Sequence, residues 1–161
     1  MTRASAAPSD ATILHIGVGS FHRAHQAAYL HLLRESGDTS WSIVGGNIRD
    51  DMPDTMAALI AQQGQYTLET VSPAGQRAYQ RIASIREVIP FDPQLKRLIE
   101  VGADATTRII SCTVTEAGYY LDSHHRLDPD HGDLKADLDD GGARTIYGAL
   151  TLILRERLRR G

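Results

Sequence analysis

The chain has 161 residues, of which 42% are hydrophobic and 23% are charged, and its formal net charge is −3. These values are typical of one globular domain or of a fragment of a larger enzyme, and they give no electrostatic reason to expect a nucleic-acid partner. No apolar run reaches the roughly 18 residues of a membrane span, and the single cysteine, Cys112, excludes an intrachain disulfide and favours a reducing compartment.

The first half of the sequence alternates short β-branched runs with helix-like patterns. Residues 1–11 lack the apolar stretch of a secretory signal, so we expect a flexible tail on a cytoplasmic protein. Hydrophobic periodicity, glycines and prolines set the boundaries of the elements that follow. In chain order these are a strand over 12–17, a helix over 21–34 that stops at Gly37, a strand over 41–44 broken by Gly45 and Gly46, a helix from Pro53 to Gly64, and a hairpin of 66–71 with 78–85.

The second half of the sequence contains the run with the most β-branched residues. The predicted elements are a short helix over 93–101, a strand over 107–114, a long surface loop over 122–142 and a final helix over 143–160. The loop is predicted because its segment is acidic and contains Asp128-Pro129, a turn signal. We expect Cys112 to be a buried core residue of its strand. The apolar face predicted for the final helix consists of Tyr147, Leu150, Leu154 and Leu158.

This order of strands and helices predicts an α/β fold. Alternating strands and helices form a mainly parallel sheet with helices on both faces, and the Rossmann fold is the best-known ligand-binding member of that class. No further strand follows the final helix to complete such a sheet. We therefore expect 12–161 to be an incomplete nucleotide-binding domain.

A glycine turn directly after the first strand is the strongest site motif. Gly17 allows a sharp bend, and Gly19 allows a pyrophosphate to approach the backbone. The N–H groups from Ser20 to Arg23 then offer hydrogen bonds at the positive end of a helix. The motif predicts a dinucleotide site, and the alternative is a purely structural turn between strand and helix.

The position of the usual third glycine is occupied by His22. That glycine normally lets the helix pack closely on the strand, so we expect the helix to stand further off or to enter at another angle. Arg23 is a candidate to place a guanidinium beside the phosphates.

Two acids follow the second predicted strand. Asp50 and Asp51 are candidates to bind the adenosine ribose, which favours NAD over NADP because a carboxylate repels a 2′-phosphate. Arg49, directly before them, favours NADP instead. The alternative role for the two acids is to cap the following helix.

The seven histidines also raise the hypothesis of a metal site. His22 and His25 are close in sequence, and His124, His125 and His131 lie in an acidic segment. Neither group has the spacing of a known zinc site, so we expect no metal and interpret the acidic segment as a solvated surface.

Four segments resemble the mannitol dehydrogenase family. They are HIGVGSFHRAHQAAYLHLL, WSIVGG, QQGQYTL and TVTEAGY, and the resemblance extends over nearly all of the chain from Ile13 onward. These long-chain polyol dehydrogenases oxidise a sugar alcohol with a nicotinamide cofactor. The segments GNIRDDMPDTMAALIAQQGQYTLETV and RIISCTVTEAGYYLD are most similar to the branch that converts D-arabinitol to D-xylulose.

The resemblance implies roles for individual residues. The family turn has the form G-x-G-x-F-x-R-A-H and does not require a third glycine. By this resemblance Gly17, Gly19, Phe21 and Arg23 line the pyrophosphate of NAD, and Asp51 meets the adenosine ribose. The position after Asp51, where the family often has a second acid, is Met52. Glu116 matches a family glutamate associated with passage of a proton to solvent, although taken alone it is an ordinary capping or ion-pairing carboxylate.

The resemblance supplies no catalytic base within this chain. The family's base is a lysine in a C-terminal helical domain, and neither Lys96 nor Lys135 stands in a matching motif. We therefore expect the chain to be the cofactor-binding portion of a NAD-dependent polyol dehydrogenase that is inactive without its C-terminal domain. The alternative is a non-catalytic dinucleotide-binding or interaction module whose natural chain ends near Gly161. The downstream reading frame distinguishes the two.

Overall fold

The computed structural model describes residues 11–161. The predicted tail over 1–11 lies outside the described residues except for Ala11, which begins the first strand. The elements are β1 (Ala11–Ile16), α1 (Ser20–Ala24), α2 (Gln26–Glu35), β2 (Trp41–Gly46), α3 (Pro53–Ala61), β3 (Tyr66–Val71), β4 (Arg77–Ile82), β5 (Ile85–Ile89), α4 (Lys96–Gly102), β6 (Thr107–Cys112), a 3₁₀ turn (Glu116–Tyr119), α5 (Gly132–Asp140) and α6 (Ile146–Arg160).

Four strands form one parallel sheet in the order β5-β2-β1-β6. Successive residues of β1 point to opposite faces of this sheet. Ile13 packs with the buried residues of α2 and α3, whereas Leu14 packs with those of α4 and α6. The prediction of a mainly parallel, Rossmann-like sheet with helices on both faces is therefore confirmed.

The predicted hairpin is correct in its first strand and wrong in the extent of its second. β3 pairs with β4 in an antiparallel two-stranded sheet that stands apart from the parallel one. The run 78–85, interpreted as one strand, ends its pairing at Ile82, and Ile85 begins β5 at the edge of the parallel sheet. Ser84 lies between them, and its hydroxyl donates to the carbonyl of Ala27 over 2.6 Å. This contact with α2 fixes the point where the chain changes sheets.

The predicted loop over 122–142 is wrong in its second half, because Gly132–Asp140 forms α5. The ring of His131 accepts a hydrogen bond from the N–H of Asp133 at the start of this helix, and Leu134 is buried beneath it. Composition favoured a loop, whereas a single buried leucine and a local cap favour the helix.

The apolar face predicted for the final helix is also wrong, except at Leu150, which packs against the core. Ile146, Ala149 and Ile153 are buried against the sheet. Leu154 and Leu158, by contrast, are 58% and 84% exposed. The sequence of α6 carries two apolar stripes, and periodicity alone does not decide which one meets the core.

Three smaller expectations also differ from the structure. Cys112 is exposed at the end of β6 rather than buried. β2 continues to Gly46, because the glycines there allow close packing: a Cβ on Gly45 would lie 2.7 Å from Val18 Cγ2. The helix predicted over 21–34 is interrupted at His25, which separates α1 from α2. Within residues 11–161, no helix has both the length and the apolar character to cross a membrane.

Candidate functional site

The glycine loop lies between the carboxyl end of β1 and the start of α1. Gly17 has φ +102°, and a Cβ there would lie 2.8 Å from Thr113 Oγ1. Only glycine satisfies both the positive φ and this close approach. The N–H of Gly17 donates to the carbonyl of Gly46 at the end of β2 over 2.9 Å, which anchors the bend to the sheet.

Side chains from two neighbouring strand ends hold the loop in place. The N–H of Val18 donates to Asn47 Oδ1 over 2.9 Å, and Asn47 is 6% exposed. On the other side, Thr113 Oγ1 donates to the carbonyl of Gly17 over 2.8 Å. The loop therefore lies at the carboxyl ends of β1, β2 and β6. On one side of β1 lies β2, the next strand along the chain, and on the other side lies β6, the last described strand, so the strand order reverses direction at β1. Ligands bind at such a point in open α/β sheets.

The opposite side of the loop is open. A Cβ on Gly19 would meet no atom closer than the carbonyl oxygen of Gly17 at 4.0 Å. The first bond of α1 runs from the N–H of Arg23 to the carbonyl of Gly19, over 3.1 Å. Within residues 11–161, the N–H groups of Ser20, Phe21 and His22 have no acceptor. Free backbone donors beside an open glycine fit a diphosphate.

His22 fills the position of the missing third glycine by stacking. Its side chain is 1% exposed, and its ring lies 3.6 Å from that of His15, measured between centroids, with 13° between the planes. His15 comes from β1, so the two rings pack the loop and helix α1 onto the sheet. A large residue is accepted here because a second ring lies beneath it.

Both stacked histidines are uncharged at neutral pH. Burial lowers the pKa of His15 to about 4, and burial together with the neighbouring His15 lowers the pKa of His22 to about 3. His15 Nε2 donates to the carbonyl of Gly17 over 3.1 Å, which leaves Nδ1 unprotonated, 2.8 Å from Ser111 Oγ; that hydroxyl also lies 3.2 Å from Gln26 Oε1. Both ring nitrogens of His22 are buried without a hydrogen-bond partner among the described residues.

The remaining predicted phosphate-binding residues lie around the open side. Arg23 is half-buried, and its Nη1 donates to the carbonyl of Val18 over 2.6 Å, so the guanidinium braces the loop. Ser20 is exposed, and Phe21, 65% exposed, stacks on His25 with 4.2 Å between ring centroids. Contact of these side chains with a diphosphate stays a prediction.

The predicted acids lie beyond the ends of two strands. Asp50 and Asp51 are exposed in the bend that follows β2. Neither caps α3, whose N-cap is Met52 without a side-chain hydrogen bond. Glu116 is exposed at the first position of the 3₁₀ turn that follows β6, three residues after Thr113. All three acids thus follow strands whose carboxyl ends adjoin the glycine loop, and their contact with a cofactor stays a prediction.

Asn47 and Thr113 are site residues that sequence reasoning missed. Each comes shortly after a strand, and that position was the available signal. Their role depends on contacts with a loop about 30 and about 95 residues away in sequence.

The histidine groups considered for a metal do not converge. His22 stacks on His15, whereas His25 stacks on Phe21. Among residues 11–161, no group of three or more histidine, cysteine, aspartate or glutamate side chains is arranged to hold a metal ion.

Comparison with known proteins adds a family assignment. Residues 11–160 match a family model described as the mannitol dehydrogenase Rossmann domain. A D-arabinitol 4-dehydrogenase of Ralstonia nicotianae is 56% identical over 163 residues, which cover 100% of this chain and 35% of the relative. A D-arabinitol 4-dehydrogenase of Klebsiella pneumoniae is 54% identical over 147 residues, which cover 91% of this chain and 32% of the relative. The chain thus spans about a third of the length of these curated relatives.

A solved structure gives the same result for the fold. The mannitol 2-dehydrogenase of Pseudomonas fluorescens, in a ternary complex with NAD and D-mannitol, superposes with a TM-score of 0.85 at 31% sequence identity. The match covers 95% of this chain and 32% of that one.

Proposed function

The chain belongs to the mannitol dehydrogenase family, whose Rossmann domain it forms, and on that premise we propose that it is the NAD-binding part of a polyol dehydrogenase. The single observation that carries the proposal is the open glycine loop at the carboxyl ends of β1, β2 and β6, where the N–H groups of Ser20, Phe21 and His22 have no acceptor among residues 11–161. The NAD in the complex of the Pseudomonas fluorescens relative supports the choice of cofactor.

The residues of this chain bind and orient the cofactor. Gly17, Gly19, Ser20, Phe21 and Arg23 take the diphosphate, which the backbone donors and the guanidinium attract. When bound, the nicotinamide accepts the hydride that leaves the alcohol carbon.

The acids complete the proposed site. Asp51, with Asp50 next to it, accepts hydrogen bonds from the hydroxyls of the adenosine ribose. Oxidation of an alcohol also releases a proton, and exposed Glu116 relays that proton to solvent from the end of β6.

The proposed substrate is D-arabinitol, oxidised to D-xylulose. Two relatives that are more than half identical to this chain are named D-arabinitol 4-dehydrogenase, whereas the mannitol 2-dehydrogenase of known structure is 31% identical. The proposal rests on this relatedness.

We also propose that this chain, as domain 12–161, works together with a further, C-terminal domain that supplies the catalytic lysine. Lys96 and Lys135 are both exposed and lie on α4 and α5, and neither contributes a contact to the glycine loop among the hydrogen bonds of the described residues. Among the described strands, none pairs with the outer edge of β6, where Ile109 is 42% exposed. The relatives are about three times as long as this chain.

Substitution of Gly19 tests the cofactor site. Gly19→Val places a side chain in the open space of the loop without backbone strain, since the φ of Gly19 is −75°. We expect it to weaken NADH binding by about tenfold or more in the full-length protein, because the diphosphate no longer reaches the backbone. Titration of NADH fluorescence measures the dissociation constant.

The matched control is Gly132→Val. Gly132 also has open space at its Cβ position and lies at the start of a helix, α5, outside the loop proposed to bind the diphosphate. This variant should bind NADH as the parent protein does. Equal affinity of the Gly19→Val variant and the parent would refute the site.

A further inference from the structure

Arg49 is held by a cluster of groups from the second half of the chain. Its Nη2 donates to Tyr120 Oη over 2.6 Å and to Asp133 Oδ2 over 3.0 Å. The carbonyl of Arg144 accepts from Nη2 over 3.3 Å and from Nε over 3.4 Å. One side of the guanidinium is thus fully occupied by protein acceptors.

The partners of Arg49 are themselves fixed in place. Tyr120 is 7% exposed, and its ring packs edge-on against His131 with 4.7 Å between centroids. Tyr120 Oη also donates to Asp133 Oδ2 over 3.3 Å. Asp133 lies in the first turn of α5, at a position where the helix dipole favours a carboxylate. The cluster is therefore a built acceptor for the guanidinium.

The position of Arg49 gives these contacts a functional meaning. It follows the end of β2 by three residues and directly precedes Asp50 and Asp51. In nucleotide-binding folds, an acid near this point binds the ribose 2′-hydroxyl of NAD, whereas an arginine accommodates the 2′-phosphate of NADP. The chain carries both residue types side by side.

We propose that Asp133 and Tyr120 determine the preference for NAD by holding Arg49 away from the 2′ position of the adenosine ribose. The inference rests on the proposed function and adds a specificity device to it. The carboxylate of Asp133 pairs with the guanidinium and fixes its direction, so a 2′-phosphate meets the carboxylates of Asp50 and Asp51 while Arg49 is held by α5. The acids alone repel NADP. Although the Arg49 side chain is 52% exposed, its contacts with Asp133 and Tyr120 hold the one cationic side chain of this bend against α5 and Tyr120.

The test is a comparison of NADH and NADPH affinities in the full-length protein. Asp133→Asn keeps the size of the side chain and removes its charge, which weakens the hold on Arg49. We expect NADPH to bind about fivefold or more tightly, whereas NADH affinity changes less than about twofold. Fluorescence titration gives both dissociation constants without turnover. Tyr120→Phe, which removes one acceptor of Arg49, should shift the ratio in the same direction by a smaller factor.

Two controls separate this effect from a general change of charge. Asp139→Asn removes an exposed carboxylate from the same helix, where it makes no ion pair among the described residues, and should leave the ratio unchanged. Combining Arg49→Gln with Asp133→Asn should abolish the gain for NADPH, because the gain depends on the released guanidinium.

The outcomes are distinguishable. An unchanged NADPH affinity in both the Asp133→Asn and Tyr120→Phe variants, or an equal gain when Arg49 is absent, would overturn the inference while the proposed function stands. A parent protein that binds neither NADH nor NADPH would overturn the proposed function and this inference with it.

Discussion

At the scale of single residues, the stacked rings of His15 and His22 make the stability of the domain depend on pH. Burial lowers their pKa values to about 4 and about 3, whereas histidines of an unfolded chain titrate near 6.5. Between these values the unfolded chain binds more protons than the folded one. The two rings therefore leave the free energy of unfolding unchanged above about pH 6.5. As the pH falls from there towards 4, the free energy of unfolding decreases by up to about 1.4 kcal/mol per pH unit for each ring.

Urea unfolding between neutral pH and pH 4.5 measures this dependence. Carboxylates also titrate in this range, so the informative quantity is the difference between the parent protein and the His22→Phe variant. Phenylalanine keeps an aromatic ring stacked on His15 and removes one of the two titrating groups, so its stability should fall less steeply with acid. Identical slopes would show that the ring of His22 takes up no protons when the chain unfolds.

Some residues that shape the glycine loop were predicted from the sequence, and others were not. Gly17 and Gly19 were found because their spacing after a strand is a local pattern. Asn47 and Thr113 were not, because each acts by a hydrogen bond to a loop distant in sequence. The position of the bend was therefore predictable, and the groups that fix its shape were not.

At the scale of secondary-structure elements, Arg157 of α6 binds the segment that connects α4 to β6. Its Nη1 donates to the carbonyl groups of Gly102, Asp104 and Thr107 over 3.2, 3.2 and 3.1 Å. Arg157→Gln should lower the free energy of unfolding by about 1–3 kcal/mol, because the shorter side chain leaves these carbonyls without a charged donor. Urea denaturation of the variant measures the loss.

The matched control lies in the same helix. Arg155 is exposed and makes no hydrogen bond or ion pair within the described residues, so Arg155→Gln should change stability by less than about 0.5 kcal/mol. If both variants lost the same stability, the effect would come from the charge near the end of the helix rather than from the three carbonyl contacts.

The elements that were predicted wrongly share a physical cause. The face of α6, the helix α5 and the strand β5 were each decided by what lies next to them in the fold. Ile153 packs on Leu14 and Gly102, Leu134 is buried beneath α5, and β5 pairs with β2. The strand β1 was predicted correctly because a short run that is mostly apolar and β-branched, ended by a glycine, is typical of a strand buried on both faces.

At the scale of the whole molecule, the relative activity of the full-length protein on two polyols tests the proposed substrate. D-arabinitol and D-mannitol differ by one carbon, and a pocket shaped for one of them typically discriminates by about tenfold or more. We expect kcat/KM with NAD to be higher for D-arabinitol by at least that factor. NADH formation measured by absorbance with each polyol decides this, and a preference for D-mannitol would contradict the proposed substrate.

The sequence by itself determined the fold class, the position of the glycine loop and the resemblance to the family, since these depend on residues that are close along the chain. Only the tertiary structure decided that His22 fills the position of the third glycine by stacking on His15, that Asn47 and Thr113 hold the loop, and that Arg49 is bound by Tyr120 and Asp133. The reason is that these arrangements join residues far apart in sequence. These arrangements are stabilised by burial and by the geometry of their hydrogen bonds, and neither can be read from the order of residues along the chain.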